Sequence, residues 1–149
     1  MSTELLLKGI NFRGVILAIE REHGEPRCAR VLSRIPSPAG DSLRNGEVVA
    51  GGWYPASYYD ALLKAAEEEA LDVRKLATAA IVHDFSTLFR LFSFLISPEF
   101  ALKNTVKVLN RYVQGGKVTV VDARQGRVHF RFEEFFGYTP RMWEDFLGG

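Results

Sequence analysis

Strand-forming patterns are concentrated in one stretch of this chain of 149 residues. The segments Lys117–Asp122 and Arg127–Phe132 are short, rich in β-branched and aromatic residues, and joined by a turn that ends in Gly126. In the second segment apolar side chains alternate with polar ones, which predicts a strand with one buried face. Further strands are candidates at Glu4–Lys8 and Glu47–Ala50. Because a hairpin alone is marginal in water, the 117–132 hairpin must pair further or lie on helices.

Helix signals fill most of the remaining chain. Proline suits the first helical turn because its fixed φ matches the helix and its missing N–H leaves nothing unsatisfied there. On that basis we expect helices from Arg27 to about Ile35, from Tyr54–Pro55 to about Ala70, from Ser97–Pro98 to Gln114, and from Arg141 to about Leu147. Two helices without proline are expected from Phe12 to about His23 and from Asp72 to about Ile96. The fold class predicted is α+β, with about six helices packed on a small antiparallel sheet that contains the 117–132 hairpin. The stretch Ser33–Gly52 is expected to be an irregular surface loop.

The second half of the 72–96 helix is apolar nearly all round, which is typical of a buried central helix. Charged and polar side chains at His83, Asp84 and Arg90 exclude a membrane-spanning segment there. Three aromatic residues of this helix and the tryptophan just before Tyr54–Pro55 form a candidate apolar pocket. Its residues are Trp53, Phe85, Phe89 and Phe92.

Length and charge limit the other functional classes. The chain has the size of a single domain, 1–149, and a formal net charge of +1, so net charge gives no reason to expect nucleic-acid or membrane binding. A lone cysteine, Cys28, excludes an internal disulfide. The N-terminus lacks the pattern of a signal peptide, so the expected location is the cytoplasm.

No catalytic or metal-binding constellation stands out. The histidines His23, His83 and His129 lie on three different predicted elements, and none has a partner at ligand spacing. His83 is either an axial ligand or proton relay, or a hydrogen-bonded core histidine. Cys28 sits inside a predicted helix between Arg27 and Arg30, which could lower the pKa of a thiol, but packing is the more usual role of a lone helical cysteine. We therefore expect a protein that is not an enzyme and holds no cofactor or metal.

Charged and aromatic clusters offer contact surfaces instead. Lys103, Lys107 and Arg111 recur on one face of one helix, which is either simply solvated or docks an acidic protein partner or an anionic ligand. The aromatic residues Trp53, Tyr54, Tyr58 and Tyr59 either line a pocket mouth or interface or close one end of the core.

The C-terminal segment predicts self-association. It is rich in large apolar side chains, and the hairpin edge beside it carries little charge to protect it. A homodimer would cover both features, with candidate interface residues Phe136, Met142, Trp143 and Phe146. The alternative is a monomer in which this segment folds back onto its own sheet.

Several segments together resemble a known family. The stretches are Lys8–Gly9, Glu22–Glu25, Gly52–Pro55, Ser97–Glu99 and Gly115–Val118. They resemble a paralogous family of uncharacterised proteins from myxobacteria and, more distantly, vinyl-reductase small-molecule-binding domains and heme–nitric-oxide-binding domains. The resemblance implies an α+β domain used as a ligand-binding regulatory module or as a scaffold. The heme-binding relatives carry a helical histidine ligand and a Tyr-x-Ser-x-Arg motif, and this chain has no such motif.

The sequence therefore favours a non-enzymatic regulatory or scaffold module that acts through protein–protein contacts. The alternative is a small-molecule-sensing domain whose apolar pocket lies between the long helix and the sheet and takes a small apolar ligand.

Overall fold

The computed structural model describes residues 4–80, 107, 110–124 and 127–134. The α+β fold class is confirmed. In chain order the first elements are β1 (Leu6–Lys8), α1 (Gly9–His23), α2 (Glu25–Arg34), α3 (Ala39–Arg44), β2 (Trp53–Pro55) and α4 (Ala56–Glu68). A helix α5 follows and is described over 73–80, and a helical turn occupies 110–112. The last strands are β3 (Val113–Gln114), β4 (Lys117–Arg124) and β5 (Arg127–Glu133).

The described strands form two antiparallel sheets. In the first, β1 is central and pairs with β2 and β3, so that Leu7 lies opposite both Tyr54 and Val113. In the second, β4 pairs with β5, with Val120 opposite Phe130 and a bulge between Val120 and Asp122. Within the described residues the hairpin therefore has its own ladder, separate from the sheet built on β1.

The core lies where α2 packs against α1, α3 and α4. On α1 the apolar residues are spaced so that Phe12, Val15 and Ile19 share the inward face, and all three are fully buried. Each buried side chain of this size contributes roughly 1.5–3 kcal/mol relative to exposure. The largest fully buried side chains of the described chain are Phe12, Leu5, Ile19, Ile35, Leu62, Leu63, Leu76, Val15 and Val31.

The glycine-rich loop 45–52 closes the start of α1. The first N–H groups of a helix have no partner inside it and must find one elsewhere. Here the Gly9 N–H donates to the Gly52 carbonyl at 2.9 Å, and the Ile10 N–H donates to the Ala50 carbonyl at 3.0 Å. The Asn11 side-chain amide donates to the Tyr112 carbonyl at 3.3 Å, which ties α1 to the chain just before β3. The loop thus acts as a cap supplied by a distant part of the sequence.

Two helix ends differ from the sequence prediction. The 97–114 helix was expected to reach Gln114, but Val113 and Gln114 form β3, because β1 offers them backbone partners. The helix expected from Tyr54 begins at Ala56 instead, since Trp53–Pro55 forms β2 against the other side of β1. In both places pairing with a distant strand outweighs the local helix signal.

The Ser33–Gly52 stretch is not wholly irregular. It contains the short helix α3, whose Ala39, Gly40 and Leu43 are buried against the rest of the core. Glu47–Ala50 is not a strand, and of the two further strand candidates only Glu4–Lys8 supplies one, β1. By contrast, the expected cap of the long helix is present, because the Asp72 carboxylate accepts the Lys75 N–H at 3.1 Å.

Three predicted features lie outside the described residues: the rest of the 72–96 helix, the helix start at Ser97 and the C-terminal helix from Arg141. Among the described residues, no helix combines the length and apolar character needed to cross a membrane.

Candidate functional site

The candidate apolar pocket is described only at Trp53, since Phe85, Phe89 and Phe92 lie outside the described residues. Trp53 belongs to β2, the outer strand of the first sheet among the described residues, and leaves 38% of its surface exposed. The Lys8 ammonium lies 5.7 Å from the centroid of its ring, a cation–π arrangement across the β1–β2 pair. Trp53 is therefore a partly exposed side chain at one side of the first sheet, with Lys8 over its ring.

The other aromatic residues of the 53–59 cluster pack into the core. The ring of Phe12 meets Tyr54 edge-to-face with centroids 5.9 Å apart, and meets Tyr59 at 5.4 Å. The Tyr54 hydroxyl donates to the Glu47 carbonyl at 2.9 Å and accepts the Val49 N–H at 2.9 Å. For Tyr54 and Tyr59 the structure thus favours closure of one end of the core over a pocket mouth.

The surface residues proposed for contacts are described in part. Lys107 and Arg111 are exposed, whereas Lys103 lies outside the described residues. The candidate dimer-interface residues Phe136, Met142, Trp143 and Phe146 also lie outside them. Their role in association stays a proposal.

The candidate metal and redox residues are scattered in the described chain. His23 is exposed at the end of α1, His129 is exposed on β5, and His83 lies outside the described residues. Cys28 is buried in α2, where its thiol lies 3.9 Å from the Ile16 carbonyl, and burial raises the pKa of this thiol to about 11. The thiol is therefore protonated near neutral pH and is a poor metal ligand or nucleophile. No group of three or more His, Cys, Asp or Glu side chains in the described parts could hold a metal ion.

A crevice between α1 and α5 is small. It is lined by Gly14, Leu17, Ala18, Arg21, Ala79 and Ala80. Its volume of about 10 Å³ matches a single water molecule. This crevice is too small for a metabolite or a macrocycle.

The most organised charged cluster escaped the sequence analysis. Three arginines of α2, Arg27, Arg30 and Arg34, surround the carboxylate of Glu69 at the C-terminal end of α4; we name this group the arginine clasp. Arg34 Nε lies 2.6 Å from Glu69 Oε1, while the Nε atoms of Arg27 and Arg30 each lie 3.3 Å from Oε2. Arg27 also donates from Nη2 to the Glu69 backbone carbonyl. The arginine spacing in the sequence indicates one shared helix face, but nothing local in the sequence reveals the distant carboxylate.

The clasp changes the acidity of Glu69. The hydrogen bond from Arg34 holds the pKa of this carboxyl below its ordinary value, burial opposes that effect, and the Arg30 hydrogen bond adds to the lowering. Glu69 is the single buried charged side chain among the described residues, at 9% exposure. The clasp thus joins α2 to the end of α4 through one ionised carboxylate.

We expect Glu69→Gln to lower the melting temperature by several degrees at neutral pH, because three guanidinium groups then lose their counter-charge. A carboxyl whose folded pKa is lowered stabilises the fold above its unfolded pKa and loses that contribution as the pH falls through the folded pKa. The gap between wild type and Glu69→Gln should therefore narrow in acid, as measured by thermal melts from neutral to acidic pH. Exposed Glu68 on the same helix end is the matched control. An equal loss in Glu68→Gln, or a gap that does not change with pH, would contradict the assignment.

Comparison with known proteins finds similarity in structure and not in sequence. No family model matches the chain, and no curated protein matches it. A solved structure with a similar fold is the unliganded Fe(II) form of a mutant H-NOX protein from K. algicida. The TM-score is 0.66 at 17% sequence identity, and the match covers 95% of this chain and 78% of that one. The resemblance to heme–nitric-oxide-binding domains thus holds at the level of the fold: the chain folds like an H-NOX domain.

Proposed function

We propose that the protein is a small-molecule-sensing domain that uses an H-NOX-like fold to hold an apolar ligand. The observation that carries the proposal is the structural similarity to an H-NOX protein over 95% of the chain. Such a fold supports a binding function more directly than the scaffold role that the sequence favoured. The proposed site is the sequence-derived pocket between the long helix and the sheet, with Trp53, Phe85, Phe89 and Phe92 as lining residues.

Among the described residues, His23, His129, Cys28 and Tyr54 are poorly placed to ligate a heme iron, and His83 lies outside the described residues. Heme iron needs an axial ligand such as histidine, a cysteine thiolate or tyrosine. His23 and His129 are exposed, the Cys28 thiol is protonated, and the Tyr54 hydroxyl is held between two backbone groups. The chain also lacks the Tyr-x-Ser-x-Arg motif of the heme-binding relatives. We therefore propose ligand binding without a porphyrin.

Native mass spectrometry of freshly purified protein tests the proposal. We expect a small-molecule adduct in the wild type, or binding of an anilinonaphthalene sulfonate dye to the native, folded protein if the ligand is lost on purification. Phe89→Ala with Phe92→Ala should remove the adduct or the dye signal. The control is Val49→Ala, since Val49 is 54% exposed on the loop that caps α1. Absence of both adduct and dye binding, or an equal loss in the control, would refute the proposal.

The purified protein should show no Soret band, and added hemin should not produce a saturable one. The reason is the lack of a suitable ligand among the described histidines, cysteine and Tyr54, together with the missing motif. Visible absorption spectroscopy of wild type and of His83→Ala checks this directly. A Soret band that disappears in His83→Ala would show that the protein is a heme sensor after all.

A second candidate is a regulatory module that acts through protein contacts. It is favoured by the exposed cations Lys107 and Arg111 and by large apolar side chains left exposed on the described surface: Leu17, Val49, Trp53, Val120 and Val121.

A homodimer through Phe136, Met142, Trp143 and Phe146 belongs to this second candidate. Sedimentation equilibrium at micromolar protein should then give twice the chain mass of 16.8 kDa. Trp143→Glu should return the mass to that of the monomer without loss of circular dichroism. A wild-type mass near 16.8 kDa would exclude the dimer.

A further inference from the structure

The arginine clasp holds more positive charge than its carboxylate neutralises. Three guanidinium groups contact the single carboxylate of Glu69, so the ion pairs of the clasp hold two more positive charges than negative ones. In the described part of the chain, Glu69 is the only carboxylate within 4.0 Å of these arginines. A cluster of arginines that carries an excess of positive charge attracts a second anion.

The hydrogen-bonding groups of the clasp are also only partly used. Arg30 and Arg34 hydrogen-bond to Glu69 through Nε, and within the described residues their Nη groups make no hydrogen bond. Arg27 Nε is buried and has no well-formed hydrogen bond among those residues, although it lies 3.3 Å from Glu69 Oε2. Arg30 and Arg34 are 55% and 48% exposed, so a solute can reach their free donors. A guanidinium offers five N–H donors in a planar fork that matches the oxygen atoms of carboxylates and phosphates.

From this geometry we infer that the clasp is a binding site for a phosphate group, held by the Nη donors of Arg30 and Arg34. A phosphate monoester carries close to two negative charges at neutral pH, which equals the excess of positive charge in the ion pairs of the clasp. The several oxygens of a phosphate group can accept hydrogen bonds from two guanidinium groups at once. A carboxylate ligand has only two oxygens and does this less well. Glu69 acts as a positioning residue that keeps the arginines gathered along α2. The site does not depend on the apolar pocket or on the function proposed for it.

Isothermal titration calorimetry with pyrophosphate tests the site on the intact chain. We expect saturable binding that weakens as salt is added, because exposed charges are screened. The double variant Arg30→Gln with Arg34→Gln should lower the affinity by about tenfold or more, as expected when two charged hydrogen bonds are lost. The matched control is Arg13→Gln with Arg74→Gln, two exposed arginines on α1 and α5 that have the same total charge. If the double clasp variant does not fold, Arg30→Gln alone serves, since Arg30 is the most exposed of the three.

A second experiment separates the two sources of such a phosphate group. Co-sedimentation is measured with phosphatidylcholine vesicles, with and without phosphatidic acid. Pyrophosphate binding that the clasp variant loses supports a soluble phosphate compound, and vesicle binding lost in the same variant supports a lipid headgroup. Binding in neither assay, or an equal loss in the control variant, would overturn the inference.

Discussion

Phe12→Ala should lower the free energy of unfolding by about 3–5 kcal/mol, the usual cost of removing a large aromatic side chain from a packed core. Phe12 is fully buried on α1 and meets the rings of Tyr54 and Tyr59 edge-to-face. Its removal leaves a cavity where α1, the β2 strand and α4 come together. Urea denaturation monitored by circular dichroism measures the loss.

The control for this substitution is Leu17→Ala on the same helix. Leu17 is 44% exposed, so truncation there should cost less than about 1 kcal/mol. The two variants change helix propensity in similar ways, and so their difference isolates burial. A loss at Leu17 as large as that at Phe12 would mean that the inward face of α1 is assigned wrongly.

The sequence was sufficient for elements whose signals are local. The alternation from Val128 to Phe132 predicted β5, and Asp72 predicted the start of α5 through its carboxylate. It was not sufficient where a distant strand competes with a local signal. Val113 and Tyr54 both carry helix or helix-start signals, yet both pair with Leu7 of β1. A short strand gains its hydrogen bonds only from its partner, which no local pattern shows.

The same division applies to the candidate site. The histidine and cysteine positions could be weighed from the sequence, because their spacing already argued against a metal cluster. The arginine clasp could not, since Arg34 and Glu69 are joined only when α2 packs on α4. The hydroxyl of Tyr54 is a further case: its two backbone partners lie in a loop whose path depends on α1. The partners of Glu69 and of the Tyr54 hydroxyl are therefore set by how the helices and loops pack together, which the local sequence does not show.

Gly9→Ala should lower the free energy of unfolding by about 3 kcal/mol, the upper part of the range for forced overpacking. A Cβ at this position would lie 1.9 Å from the Val49 carbonyl oxygen and 2.8 Å from its carbon, and backbone atoms cannot rotate away as side chains do. The loop would have to move, and with it the carbonyls of Ala50 and Gly52 that accept the first N–H groups of α1. Helix N–H groups left without an acceptor add to the loss.

The sign of this effect separates packing from helix propensity. Gly9 begins α1, and alanine is the better helix former by about 1 kcal/mol, so propensity alone predicts a gain in stability. Gly51 lies in the loop that caps α1, and a Cβ there would meet nothing within 4 Å. Gly51→Ala should therefore leave stability unchanged or raise it by up to about 1 kcal/mol. If urea denaturation shows Gly9→Ala to be as stable as Gly51→Ala, the Val49 carbonyl does not lie against Gly9. The assignment of Ala50 and Gly52 as the cap of α1 would then be wrong.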